Sequence, residues 1–103
     1  MKAFKLFRIR RDGSLGSLFI NRKQIIIPNQ WMQAENHPTK GYAYRPGWHA
    51  TSAPIAPHLT MKGRRWYQVE IQGESKLKRP ASQGTTWWIA SQMKVLKEYN
   101  EAN

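Results

Sequence analysis

Between Arg65 and Gly73 the chain alternates with a period of two: Tyr67, Val69 and Ile71 on one parity, Trp66, Gln68 and Glu70 on the other. An extended strand points successive side chains to opposite faces, so this run predicts a half-buried strand with one row turned to the core. Gly73 closes it. A second extended segment is predicted over Lys2 to Arg11, where Phe4 and Leu6 share one parity and Phe7 and Ile9 the other, so that both faces are partly covered. Asp12-Gly13-Ser14, followed by Gly16, supplies turn chemistry after it.

The rest of the chain reads as short elements. Apolar runs at Ser17 to Asn21 and Gln24 to Ile27 flank Arg22-Lys23 and are closed by Pro28, which predicts a hairpin. Asn29 to Asn36 carries Trp31, Met32, Ala34 and Glu35, and is expected to form one or two helical turns before His37-Pro38 discourages further helix. From Thr39 to Pro57 the chain is rich in Gly, Pro and Tyr and too aromatic for an idle linker; an ordered loop with a short strand near Trp48 to Thr51 is expected. Glu74 to Gly84 is polar and basic, and is expected to be a surface loop. Thr85 to Tyr99 fits two patterns, since Trp88, Gln92, Val95 and Tyr99 share a helical face while Trp87 with Ile89 and Met93 with Val95 fit strands. A strand or short helix followed by a strand through Met93 to Lys97 is favoured. The expected fold is α+β, a mostly antiparallel sheet with one or two short helices, forming a single basic domain over residues 1–103.

Seventeen Lys and Arg stand against six carboxylates, giving a formal charge of +11. Self-repulsion of that size opposes compaction and is relieved by a polyanion. A nucleic-acid backbone also gains affinity by releasing its condensed counterions to such a surface. Nine of these seventeen cations fall in three clusters beside aromatic residues. Arg8, Arg10 and Arg11 lie by Phe7; Lys62, Arg64 and Arg65 adjoin Trp66 and Tyr67; Lys76, Lys78 and Arg79 precede Trp87 and Trp88. Basic groups pair with phosphates and aromatic faces stack unpaired bases, so these nine basic residues, together with Trp66 as the stacking residue, are the candidate nucleic-acid contacts. Alternatively, the aromatics are core and the basic residues solvate the outer surface.

The same shortage of acids argues against catalysis. Asp12, the lone aspartate, sits in a turn, which discounts a Ser-His-Asp triad. Two-carboxylate glycosidase and two-metal nuclease chemistry need acids gathered in a cleft, and Glu70 alone lies within a confident strand. His37, His49 and His58 are spaced by 12 and 9 residues, which matches no compact metal motif. With no cysteine there is no disulfide, thiolate or ordinary structural zinc set. Charges at every second or third place in Met-Lys-Ala-Phe-Lys-Leu-Phe-Arg do not suit a signal peptide, and no run approaches the roughly twenty apolar residues of a membrane span. A cytoplasmic protein with no cofactor and no membrane partner is expected.

Gly47-Trp48-His49-Ala50-Thr51, then Ala53-Pro54 and the strand ending at Gly73, together with Trp87-Trp88-Ile89-Ala90-Ser91-Gln92-Met93-Lys94-Val95, resembles the central and closing segments of ADP-ribosyltransferase-like folds over roughly half the chain. The resemblance implies a split antiparallel sheet and nicotinamide-dinucleotide binding, with Arg8 as the dinucleotide anchor and His49 at the ring-stacking position. It also sets the catalytic glutamate at Thr85 or Thr86, neither of which is acidic. The group that polarises the ribose is then missing. The whole chain is also similar to small uncharacterised phage-encoded proteins through Arg45-Pro46-Gly47-Trp48-His49, Ala56-Pro57-His58-Leu59 and Arg79-Pro80-Ala81-Ser82-Gln83-Gly84. That resemblance implies an accessory phage protein, located in the host cytoplasm and directed at nucleic-acid machinery or a host defence system.

The expectation is therefore a non-enzymatic protein that binds DNA, RNA or a nucleoprotein complex through a basic and aromatic face. A dinucleotide-binding transferase-like domain and a protein-binding inhibitor are the alternatives.

Overall fold

The computed structural model describes residues 1–16, 26–34, 47–57, 59–78, 82 and 84–99. Eight strands occur among them, in the order β1 (Lys2–Ile9), β2 (Leu15–Gly16), β3 (Trp31–Gln33), β4 (Trp48–Thr51), β5 (Arg64–Gln72), β6 (Ser75–Leu77), β7 (Trp87–Ala90) and β8 (Gln92–Glu98). Every pairing is antiparallel, and the sheet runs β3-β8-β5-β1-β4-β7-β6, with β2 also on β1. No α-helix occurs among the described residues, so the fold is sheet-dominated and the helical half of the α+β expectation is corrected.

The helical turns expected at Asn29 to Asn36 are replaced, over the described part, by β3. Met32 pairs with Met93 and Trp31 with Lys94, while Asn29 adopts φ 63° and its amide donates to the Val95 carbonyl at 2.8 Å. Trp31, Met32 and Ala34 suit either period, and the free edge of β8 decides between them. The loop expected after Glu74 contains β6, whose Ser75, Lys76 and Leu77 pair with Ile89, Trp88 and Trp87. An edge strand is commonly protected by polar and basic side chains, so its composition resembles that of a loop. The hairpin expected at Ser17 to Ile27 lies mainly outside the described residues; within them, Ile26 bridges to Leu15.

The alternation in β5 holds as read. Val69 and Ile71 are fully buried and pack with Ala3 and Phe7 of β1, Trp48 and Ala50 of β4, Ala90 of β7, and Met93 and Val95 of β8. These residues define the inner face. The indole Nε1 of Trp48 donates to the Met32 carbonyl at 3.1 Å. Those two residues belong to β4 and β3, four strands apart in the sheet order, a span of about 19 Å if the sheet were flat. A side chain cannot bridge that distance, so the sheet coils until its inner face closes over the core.

Between β1 and β4 the ladder is a single register pair, Phe4 with Thr51. Beyond it the same edge of β1 is taken by β2, at Arg8 with Gly16 and Ile9 with Leu15. In the gap, the ammonium of Lys5 donates to the His49 carbonyl at 2.6 Å, in place of a backbone donor. At this junction β1 and β4 are thus held by one ladder pair, by the Lys5 bond and by the Thr51 hydroxyl, which donates to the Phe4 carbonyl at 3.3 Å.

Gly47 enters β4 at φ 150°, where a Cβ would lie 2.3 Å from Cγ1 of Ile89. Gly47→Ala is expected to destabilise the protein by about 1–3 kcal/mol, because both the dihedral and the contact exclude a side chain. A thermal melt of the variant beside the native protein measures this directly, and an unchanged midpoint contradicts it.

Candidate functional site

Arg8 and Arg10 of the first basic cluster and Arg64 of the second meet at one end of the outer face, the face opposite the core, whereas Arg65 takes the other parity of β5, paired with Phe7. Arg8 pairs directly with Arg64 across β1 and β5, placing both side chains on the same side. Neighbouring residues of this kind hold their Cβ atoms about 5 Å apart, and like charges so placed repel. Arg10 follows Arg8 on the same parity. A Cβ built on Gly16 would sit 3.1 Å from the guanidinium carbon of Arg10 and 3.2 Å from a terminal nitrogen of Arg8, so both guanidiniums lie over one glycine. Any larger residue there would push them apart.

Backbone bonds hold the arrangement. Arg10 donates through Nη1 to the Leu15 carbonyl at 2.7 Å, and Arg64 through Nη1 to the Thr60 carbonyl at 3.1 Å. The amide of Ile9 donates to the Gly63 carbonyl at 2.9 Å, which seats the Lys62-Gly63 turn beside the end of β1. Arg11 and Lys62 are exposed around this end. Arg65, also exposed, forms an ion pair with Glu98 at 3.2 Å. Asp12 braces the turn beside the cluster: its Oδ1 accepts from the amide of Ser14 at 2.9 Å and from its hydroxyl at 2.7 Å. These bonds, with a lesser contribution from the charge of Arg10, hold its carboxyl below the usual value. Asp12 is a turn residue.

The third cluster is elsewhere. Lys76 lies on β6 and Lys78 just after it, both exposed, with β4 and β7 between them and β1. Arg79 falls outside the described residues.

The aromatic part of the expected face is redistributed. Trp66 does lie on the parity opposite Val69 and Ile71, yet it is only 9% exposed. It faces Leu6 across the ladder and lines a groove with Pro54, Ile55, Ala56, Pro57, Leu59 and Met61, so it is chiefly a packing residue rather than an open stacking platform. Phe7 and Trp87 are also buried, and Trp88 is half-buried with its indole donating to the Ser52 hydroxyl at 2.9 Å. Among the described aromatic residues Tyr99 is the exposed one, at 38%. Its ring meets Phe4 edge-on, with centroids 5.4 Å apart.

Tyr99 borders a groove of about 520 Å³ on the outer face, together with Ile55, Met61, Trp66, Arg64 and Arg65. Ile55 and Met61 are each half exposed. Sequence reading missed this groove. The signal available was the recurrence of apolar residues at Ile55, Leu59 and Met61, at and just beyond the end of the Gly-, Pro- and Tyr-rich stretch from Thr39 to Pro57.

The positions implied by resemblance to ADP-ribosyltransferase-like folds are also placed. His49 lies on β4, half-buried and paired with Ile89, and its carbonyl receives Lys5. Arg8 lies toward the opposite end of β1 from the Phe4–Thr51 pair that joins β1 to β4. Thr86 offers its carbonyl to the amide of Ser52 at 2.9 Å. No group of three or more His, Asp or Glu of metal-binding size occurs among the described residues, and no helix there is long and apolar enough to cross a membrane. Comparison with protein-family models, curated proteins and solved structures returned no match.

Proposed function

We propose that this protein binds nucleic acid through the end of the outer face formed by Arg8, Arg10 and Arg64, with Arg11, Lys62 and Arg65 around it. The observation that carries the reading is that the guanidiniums of Arg8 and Arg10 lie together over Gly16 while Arg64 stands opposite Arg8 across the β1–β5 ladder. Guanidiniums placed this close together offer several charge-assisted hydrogen bonds to a phosphate group at once. Arginine is suited to this role because its planar fork meets two phosphate oxygens at once. Contacts of this kind position a backbone and carry little sequence information, so affinity with weak sequence preference is expected. An accessory phage protein acting on a nucleoprotein complex is compatible with such a surface, and that wider role rests on the sequence resemblance.

Fluorescence anisotropy with labelled oligonucleotides tests the binding. If about six phosphates are neutralised, affinity should fall on the order of a thousandfold between about 50 and 200 mM salt. The double variant Arg8→Gln/Arg64→Gln should bind at least tenfold more weakly and show a salt slope shallower by about two. Binding that is indifferent to salt, or unchanged in the double variant, would overturn the proposal.

A further inference from the structure

The groove beside this cluster has walls of a different character. Ile55, Met61 and Tyr99 present exposed apolar surface along it, and the indole of Trp66 forms part of its lining. Surface of this kind beside a strongly basic cluster is not needed to bind a phosphate backbone, since phosphates gain nothing from apolar contact. It suits a flat ring attached to an anion.

Arg64 connects the two features. It lines the groove, and it stands opposite Arg8 in the β1–β5 register. A ligand with a phosphate between Arg8, Arg10 and Arg64 therefore has its adjoining group directed along the groove. The volume, about 520 Å³, lies in the range of sites that take small organic groups. Glu98, the carboxylate on the lining, is paired with Arg65 at 3.2 Å, so it does not cancel the positive end of the site.

We infer that the groove receives an unpaired nucleobase whose phosphate is held by Arg8, Arg10 and Arg64, so that the protein selects single-stranded over duplex nucleic acid. The inference rests on the nucleic-acid reading above and extends it to the class of strand. In a duplex the bases are stacked and paired, and cannot enter the groove without the cost of unstacking. A single strand presents them freely, and an aromatic contact with one base contributes about 1–3 kcal/mol. Tyr99 supplies that contact at the mouth of the groove.

The test compares a short labelled oligothymidylate with a duplex of equal length, in anisotropy titrations at one salt concentration and again across a salt series. The single strand is expected to bind about tenfold more tightly or better, which is the magnitude of one stacked base. Tyr99→Ala should abolish that preference while leaving duplex affinity and the salt slope as they were; Tyr99→Phe should retain it. Because Tyr99 also packs on Phe4, a second readout uses the native protein: the methyl resonances of Ile55 and Met61 should shift upfield when the single strand is added and stay in place with the duplex. Equal affinity for the two nucleic acids, with the salt slope intact and the methyl signals unmoved, overturns the groove assignment and leaves the basic-cluster reading standing. Absence of binding to either overturns both.

Discussion

Trp48→Ala should lower the free energy of unfolding by about 3–5 kcal/mol, the magnitude that follows from emptying a large buried aromatic site. Trp48 is 6% exposed and belongs to the core cluster, which accounts for the packing part of the loss. The remainder comes from closure of the sheet. Its indole bond to the Met32 carbonyl ties β4 to β3, strands four places apart that would separate if the sheet flattened. Trp48→Phe divides the two contributions, since it keeps much of the ring and removes the donor, whose loss is worth about 1 kcal/mol. Urea denaturation of both variants measures the difference. The alanine variant should lose a large share of the roughly 5–15 kcal/mol that holds a domain together. A loss below that of the phenylalanine variant would mean that the sheet closes without this residue.

Trp48 also illustrates what could be read from sequence. Its segment was expected to be a short strand, and it is β4. The sequence contained no indication that the indole would reach β3, because that contact depends on how far the sheet coils. Local alternation was informative where a strand is long and half-buried, as in β5. It failed at Trp31 to Gln33, where three residues are too few to separate a period of 2 from one of 3.6 and pairing with β8 sets the outcome. It failed again at Ser75 to Leu77, where a polar edge strand has the composition of a loop.

The site was legible to a similar degree. Arg8, Arg10, Lys62, Arg64 and Arg65 were singled out as charge clusters, and the β1–β5 register brings them to one end of the fold. That register cannot be read from either strand alone. Lys76 and Lys78 looked equivalent by composition and lie on the far side of β4 and β7. Parity gave Trp66 its correct face but could not reveal that Pro54 to Pro57, Leu59 and Met61 border it. An outward direction is not the same as exposure. A segment distant in sequence borders Trp66, and among the described aromatic residues Tyr99 is the exposed one.

Lys5 should make the stability of this protein rise with pH in the alkaline range. Its side chain is half-buried on the core parity of β1, between Ala3 and Phe7, where burial lowers its pKa from 10.5 to about 8. The unfolded chain keeps the ordinary value, so below about pH 8 both states are protonated and the folded state bears the full cost of the enclosed charge. Between about pH 8 and 10 the unfolded state holds a proton that the folded state has released, and stability increases with pH by about 2 kcal/mol. The neutral amine can still donate to the His49 carbonyl, so the junction between β1 and β4 is retained as the penalty disappears. Tyr67, opposite Lys5 in the register, works in the other direction: burial raises its phenol, so its ionisation costs stability above about pH 10. Comparison with Lys5→Met removes that contribution, along with the titration of the surface lysines, because both proteins share them. The lost hydrogen bond shifts the variant by an amount that does not vary with pH, whereas the linkage of Lys5 does. The native protein should therefore gain about 2 kcal/mol on the variant as urea midpoints are followed from about pH 8 to 10. If the difference stays constant over that interval, the ammonium is solvated in the folded state, and the opening between the two halves of the sheet admits water.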